Sequence, residues 1–191
     1  MTSDPSLPPV IRGCDGCTMC CKVMRVPELA KEPNVWCGHC VRGTGCGIYE
    51  TRPGSCRDFQ CMYTTSPTLT AAWKPAECKF VVRFEPGGGG RLSIHVDTQR
   101  PDAWRREPFL STFHQWAAQG VEQNVQVCVF VGRQVYVIVP DRVVDLGIVA
   151  PDEVILTRMT RTPRGVVLEP FKAPKDDPEA QAALGALPGM R

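Results

Sequence analysis

Four cysteines lie within eight residues near the start of the chain, in the stretch CDGCTMCC at residues 14–21. Five more follow in WCGHCVRGTGC and SCRDFQC, so nine of the eleven cysteines fall between Cys14 and Cys61. A cysteine thiolate is a soft anionic ligand, and a tight turn brings the two sulfurs of a Cys-x-x-Cys pair onto one ion. Residues of this type at this spacing predict metal binding.

Nine thiols are candidate ligands: Cys14, Cys17, Cys20, Cys21, Cys37, Cys40, Cys46, Cys56 and Cys61. The adjacent pair Cys20 and Cys21 bears on the number of centres, because neighbouring side chains diverge and strain a single tetrahedral ion that uses both. Nine thiols exceed the four of one tetrahedral site, and eight fill two such sites. Either Cys20 and Cys21 serve different ions, or one of them is not a ligand. We therefore expect two metal centres, with one thiol spare or bridging.

The spacing is compatible with both zinc and iron. Cys-x-x-Cys-x-x-Cys is typical of segments that wrap an iron–sulfur cluster with a fourth ligand from elsewhere, and it also suits tetrahedral zinc. The sequence slightly favours zinc. His39, inside one Cys-x-x-Cys pair, is an alternative ligand or a polar loop residue. Nearby cations are expected to compensate the thiolate charge, and the candidates are Lys22, Arg25, Arg42, Arg52 and Arg57.

The rest of the composition limits the compartment and the partners. The N-terminal stretch MTSDPSLPPVIRG lacks the basic and apolar segments of a secretory signal, so a soluble, cytoplasmic protein with reduced thiols is expected. The chain has no apolar run of about 18 residues, so no membrane partner is expected. A formal charge of +2 is no electrostatic argument for binding nucleic acid. Metal ions are the expected partners, together with a protein partner or substrate.

Alternating apolar residues after Lys79 predict an antiparallel sheet. KFVVRFE and RLSIHVD are expected to pair across a loop at residues 86–90 that contains four consecutive glycines. VQVCVFV and QVYVIV are separated by Gly132 and Arg133, which is typical of a two-residue hairpin.

A helix and a third hairpin complete the predicted elements. EPFLSTFHQWAAQG has apolar residues at helical spacing, with Pro108 suited to the first turn and Gly120 to the end of the helix. EVILTRMT and GVVLEPF flank the turn RTPRG, and this pair is expected to extend the same sheet.

The predicted fold class is α+β. It combines a cysteine-rich, loop-dominated, metal-binding N-terminal half with an antiparallel sheet that carries one clear amphipathic helix. We expect a flexible arm at residues 1–12, a cysteine-cluster region at 13–65, a sheet-and-helix region at 66–171 and a flexible tail at 172–191.

CDGCTMCC followed by GCGIYETRPGSCRDFQC resembles the bacterial CxxCxxCC cysteine-cluster family, whose members are described as zinc- or iron-chelating domains and include flagellin lysine N-methylases. The matching motifs cover about a quarter of the chain. PDAWRREPF and VVDLG also resemble a companion region in a subset of this family. The resemblance implies a shared cluster of Cys14, Cys17, Cys20, Cys21, Cys46 and Cys56. Cys37, Cys40 and Cys61 fit a subset with additional cysteines.

Three functions are compatible with these features. The leading hypothesis is a metal-binding module whose ions are structural, because closed all-cysteine sites leave no open position for water. The second is an iron–sulfur protein that transfers electrons or senses oxidants. The third, implied by the resemblance alone, is a lysine N-methylase that uses S-adenosylmethionine, although no glycine-rich nucleotide-binding motif follows a strand.

Overall fold

The computed structural model describes residues 9–86, 90–163 and 165–185, and its helices and antiparallel sheets give the predicted α+β class. The chain divides into two units. The first unit consists of Met1–Arg83 and His95–Trp104, and the second of Phe84–Ile94 and Arg105–Arg191. This division runs through the first predicted hairpin and does not coincide with the predicted boundary between residues 65 and 66.

The cysteine-rich part of the first unit is built from very short elements. Its helices are α1 (Met19–Val23), α2 (Gly54–Arg57), α3 (Met62–Thr65) and α4 (Pro75–Cys78), and its two short strands are β1 (Cys40–Val41) and β2 (Gly45–Cys46). Glycine, proline and cysteine interrupt the apolar periodicity that a longer helix or strand needs. Loops and turns therefore position most of the cysteines.

The main sheet has five strands in sequential order. They are β3 (Phe80–Glu85), β4 (Arg91–Val96), β5 (Gln126–Val131), β6 (Gln134–Val139) and β7 (Arg142–Ile148). The predicted β5–β6 hairpin is confirmed: Val131 pairs with Gln134, and Gly132 has the positive φ of 63° that this turn requires. Of the expected loop between β3 and β4, residues 87–89 lie outside the described residues.

Strand β7 is an element that the sequence analysis did not predict. It pairs antiparallel with β6, from Val139↔Arg142 to Gln134↔Ile148, with an irregularity in register at Val135. Gly147, at φ 70°, also lies in this strand. These irregularities interrupt the alternation of apolar and polar residues, so the sequence pattern did not predict this strand.

The predicted amphipathic helix is confirmed as α5 (Phe109–Gly120), which Pro108 precedes. Phe109, Phe113 and Ala117 are buried, and the helix contacts β5 and β6. At Gly120 a Cβ would lie 2.7 Å from the Val125 carbonyl oxygen, so this position needs glycine. Among the described residues, no helix is both long and apolar enough to cross a membrane.

The third predicted hairpin forms, but its expected place in the main sheet is wrong. Strands β8 (Glu153–Thr162) and β9 (Gly165–Pro174) make a two-stranded sheet of their own. Ile155 and Leu168 lie in an apolar cluster with Val135 and Val137 of β6. The hairpin therefore packs on a face of strand β6 instead of adding to a sheet edge. The alternation of apolar residues predicts that the strands have a buried side, but it does not predict which of these two arrangements buries it.

The chain ends differ from the predicted arm and tail. Arg12 donates hydrogen bonds to the carbonyl oxygens of Ser66 and Leu69, whereas residues 1–8 of the predicted arm lie outside the described residues. In the predicted tail, residues 172–174 belong to β9, and α6 (Pro178–Gly185) follows with Ala180 buried. Residues 186–191 lie outside the described residues.

Candidate metal centre

Tight turns close two of the Cys-x-x-Cys pairs. The Cys17 amide donates to the Cys14 carbonyl at 2.9 Å, and the Cys40 amide donates to the Cys37 carbonyl at 3.1 Å. Inside the first turn, a Cβ on Gly16 would lie 2.5 Å from the Gly43 carbonyl oxygen. The glycine at position 16 therefore permits a close approach between the first cysteine segment and the loop that precedes Cys46.

Helix α1 carries the adjacent cysteines Cys20 and Cys21. Cys20 lies against an apolar cluster centred on Met19, Val23 and Val81. The Cys21 carbonyl accepts a hydrogen bond from the Cys37 amide at 3.0 Å. Successive helix positions are rotated by about 100°, and the two cysteines differ in these contacts although their thiols hydrogen-bond with each other.

A first thiol group consists of Cys14, Cys17, Cys20 and Cys61. Cys17, Cys20 and Cys61 all pack against the apolar cluster of α1 and β3. Burial raises the pKa of Cys61 to about 12, and the negative charges of the Cys17 and Cys14 thiolates add to the effect. Burial also raises the pKa of Cys14, again with Cys17 contributing. These mutual effects indicate that the sulfurs of Cys14, Cys17 and Cys61 are neighbours. Cys20 is assigned to this group by its packing on the same apolar cluster, although its thiol also hydrogen-bonds with Cys21.

A second thiol group consists of Cys21, Cys37, Cys40, Cys46 and Cys56. Cys40 and Cys46 are opposite each other in the β1–β2 ladder. Burial raises the pKa of Cys40 to about 11, and the charge of Cys21 and a hydrogen bond between the two thiols contribute. The pKa of Cys56 is raised by burial and by the charges of Cys21, Cys37 and Cys46. The pKa of Cys21 is raised by a hydrogen bond with Cys20 and by burial.

A lysine that the sequence analysis did not single out lies beside the second thiol group. Lys31 is only 6% exposed, and its Nζ donates to the carbonyl oxygens of Lys22, at 2.7 Å, and Met24. Burial lowers the Lys31 pKa, whereas the nearby thiolates of Cys37 and Cys21 act in the opposite direction. The positive φ of 48° at Ala30 and the Val26–Lys31 bridge turn the chain back toward α1. Lys31 is therefore a cation held against α1 by backbone carbonyls.

Four of the five cations that the sequence analysis did single out have other contacts. Lys22 Nζ binds Asp97, Arg25 lies 3.8 Å from a Glu32 oxygen, and Arg52 stacks on Tyr49 at 3.7 Å. Arg42 lies 4.6 Å from the ring of Trp36, which Lys22 approaches from 5.6 Å. The expected compensation of thiolate charge by these residues stays a prediction.

The remaining sulfurs and His39 lie in other surroundings. Cys78 is buried, and its Sγ contacts the carbonyl oxygens of Trp73 and Phe80. Cys128 is buried in the apolar cluster of the second unit, where burial raises its pKa to about 11. His39 is exposed.

The cysteines of the cluster are not joined by disulfides, and they do not form a ready-made coordination shell. All nine are free cysteines, and in the part of the chain that the structure describes no three His, Cys, Asp or Glu side chains are arranged as a metal site. The donor set itself fits a soft ion, because thiolates are the ligands that zinc and iron–sulfur clusters take. Burial is the main cause of the raised thiol pKa values, the charges of neighbouring thiolates add to it, and a bound cation favours the charged form.

Comparison of the chain with models of protein families, with curated proteins and with solved structures found no match. The similarity of its motifs to the CxxCxxCC family therefore stays a prediction. The functional argument rests on the residues of this chain.

Proposed function

We propose that this protein is a metal-binding module that holds two ions through its cysteine cluster, one in each thiol group. The observation that supports the proposal is the convergence of nine free thiols around α1, with Cys14, Cys17 and Cys61 on one side, the members of the second thiol group on the other, and Cys20 in contact with both. Four thiols in the first group fill one tetrahedral site. Five in the second group fill another and leave one spare.

The ions are proposed to be structural because this part of the chain has little apolar burial. Between residues 14 and 61, all of which the structure describes, three hydrophobic side chains are buried: Met19, Val23 and Val26. Full burial stabilises such side chains by about 1.5–3 kcal/mol each. Ordering the backbone costs about 1–2 kcal/mol per residue, so three side chains do not order a segment of this length. A structural zinc supplies about 10–16 kcal/mol in small peptides.

Zinc is the favoured ion, and an iron–sulfur cluster is the alternative within the same proposal. Both take thiolate ligands, and the thiol groups are equally suited to either by donor chemistry. When bound, the ion stabilises the thiolates that burial disfavours, so four sulfurs of each group are held close together without mutual repulsion. The surface that results is proposed to recognise a protein partner or substrate.

Elemental analysis and a visible absorption spectrum of the full chain, purified without oxygen, test the proposal. We expect two zinc ions per chain and no visible absorption. Iron with acid-labile sulfide and a brown colour would instead select the iron–sulfur alternative. A folded, metal-free protein would contradict the proposal as a whole.

Single substitutions then assign the ions to the two groups. Cys61→Ser removes one of four thiols from the first group and is expected to lower the metal content to one ion per chain. Cys37→Ser leaves four thiols in the second group and is expected to retain two ions, whereas a Cys37→Ser/Cys56→Ser double variant should retain one. Cys128→Ala, whose sulfur is buried in the second unit, is the matched control and should retain both ions.

A further inference from the structure

Cys40 and Cys46 are directly opposite each other in the two-residue β1–β2 ladder. The Gly47 amide donates to the His39 carbonyl at 2.8 Å, one position outward on each strand. That hydrogen bond places Cys40 and Cys46 at a non-hydrogen-bonded position, where opposing Cα atoms are about 4.5 Å apart. A disulfide accepts Cα separations of about 4.4–6.8 Å. The backbone register is therefore compatible with a cross-strand disulfide.

We propose that Cys40 and Cys46 form a reversible disulfide on oxidation, and that this disulfide releases the ion of the second thiol group. The release rests on the proposed function, whereas the disulfide itself rests on the register of β1 and β2. Both cysteines are partly accessible, and Val41, between them on the hairpin, is 53% exposed. An oxidant therefore reaches this hairpin from solvent.

The oxidant is a hydroperoxide, with hydrogen peroxide as the simplest case. One thiolate attacks a peroxide oxygen, the O–O bond breaks, hydroxide leaves and a sulfenic acid forms. The second thiolate attacks the sulfenic sulfur, the S–O bond breaks and a second hydroxide leaves as the S–S bond forms. Two protons from the solvent convert both hydroxides to water, because thiolates that bind a metal have already lost theirs. Two electrons pass from the sulfurs to the peroxide, which is reduced to two water molecules.

The disulfide leaves too few thiols in the second thiol group to hold an ion. The second thiol group has five members, and the disulfide removes two, which leaves Cys21, Cys37 and Cys56. Three thiols do not complete a closed tetrahedral site of four. The first thiol group contains neither Cys40 nor Cys46 and keeps its four sulfurs. Oxidation is thus expected to release one ion of two.

Cys21 is the competing partner of Cys40. The Cys40 thiol hydrogen-bonds with the Cys21 thiol and with Thr18, and a disulfide with Cys46 replaces these contacts. The Cα separation of Cys40 and Cys46 is fixed by the ladder, which favours Cys46 as the partner.

Peptide mapping of the metal-loaded full chain tests this inference. After hydrogen peroxide treatment and alkylation of the remaining thiols, trypsin cleavage at Arg42 separates residues 32–42, with Cys40, from residues 43–57, with Cys46. We expect these two peptides to be joined, with fragmentation assigning the bond to Cys40 and Cys46, and with one metal ion of two released. Reduction and addition of metal should restore both ions.

Cys46→Ser and Cys128→Ala are the matched variants. Cys46→Ser keeps four thiols in the second group, so it should bind two ions, form no Cys40 disulfide and retain both ions in peroxide. Cys128→Ala should behave as the unaltered chain. A bond from Cys40 to Cys21, or metal-loaded protein without a disulfide, would overturn the inference and leave the metal proposal standing. A metal-free chain that forms the Cys40–Cys46 bond would instead contradict the proposed function.

Discussion

Lys22 Nζ and the Asp97 carboxylate form a buried ion pair, with both carboxylate oxygens 2.7 Å from the nitrogen. The two side chains are 6% and 7% exposed. Lys22 Nζ also donates to Gln99 Oε1 at 2.7 Å. Lys22 follows Cys21 in α1, whereas Asp97 follows β4, so this contact fixes the cysteine-bearing helix to a turn 75 residues further along the chain.

Loss of the Asp97 carboxylate is expected to destabilise the first unit. Asp97→Ala leaves a buried ammonium with Gln99 as a neutral partner, and removing one member of a buried pair costs about 3–5 kcal/mol. The free energy of unfolding, measured by urea denaturation with metal content held constant, checks this value. Glu179→Ala is the control, because its pair with Arg158 is about half exposed and such pairs contribute about 0–1 kcal/mol. Equal effects of the two substitutions would contradict the prediction.

Lys31 is expected to set the metal affinity of the second thiol group. Lys31→Met removes the cation beside Cys21 and Cys37 and leaves the carbonyls of Lys22 and Met24 without their ammonium donor. Substitution of groups that support metal ligands typically lowers affinity by about 10–100-fold. Competition with a chromophoric chelator should show a loss in that range for one ion only, and Lys31→Arg should recover most of it. An unchanged affinity in Lys31→Met would exclude this role.

The features that the sequence predicts well are those that local chemistry determines. The β5–β6 hairpin follows from Gly132 between two alternating strands, and α5 follows from apolar residues at helical spacing that end at Gly120. The division of the cysteines into two centres at the Cys20–Cys21 step stays a prediction.

The features that the sequence did not predict depend on contacts between distant residues. In the sequence, Asp97 has the features of an ordinary turn residue. Its role depends on α1, which places Lys22 next to it. The sequence gives no reason to expect that Lys31 is anything but a surface lysine. In the structure, the turn at Ala30 directs its side chain back toward the carbonyls of α1. The β8–β9 hairpin has the pattern of any half-buried strand pair, and only the packing of Ile155 shows that it covers a sheet face. The sequence pattern indicates which side chains prefer to be buried. It does not indicate which other elements of the fold pack against them.

Metal removal is expected to loosen the cysteine-rich segment and leave β5 and β6 intact. Residues 14–61 bury few hydrophobic side chains, whereas β5 and β6 bury Val127, Val129, Val137 and Ile138. Hydrogen exchange measured with and without a chelator should therefore show faster exchange in peptides from 14–61 and unchanged protection in peptides from 126–139. Unchanged exchange in the cysteine-rich peptides would contradict a structural role for the ions.

His95 is expected to make the stability of the first unit dependent on pH. Burial, together with the nearby Arg83 guanidinium, lowers the pKa of His95 from 6.5 to about 4. The folded chain therefore keeps this imidazole neutral in a pH range where the unfolded chain protonates it. Its contribution is fully present above about pH 6.5, falls as the pH drops, and levels off below about pH 4, with a total of at most about 3 kcal/mol.

The difference between the unaltered chain and His95→Gln isolates this effect. Any metal that the two chains bind is expected to be lost in acid from both as their thiolates are protonated, so that contribution should cancel in the difference. Free energies of unfolding measured from pH 4 to pH 8 should fall more steeply on acidification for the unaltered chain, because a glutamine side chain has no group that titrates. Parallel curves for the two chains would show that His95 is protonated equally in the folded and unfolded states.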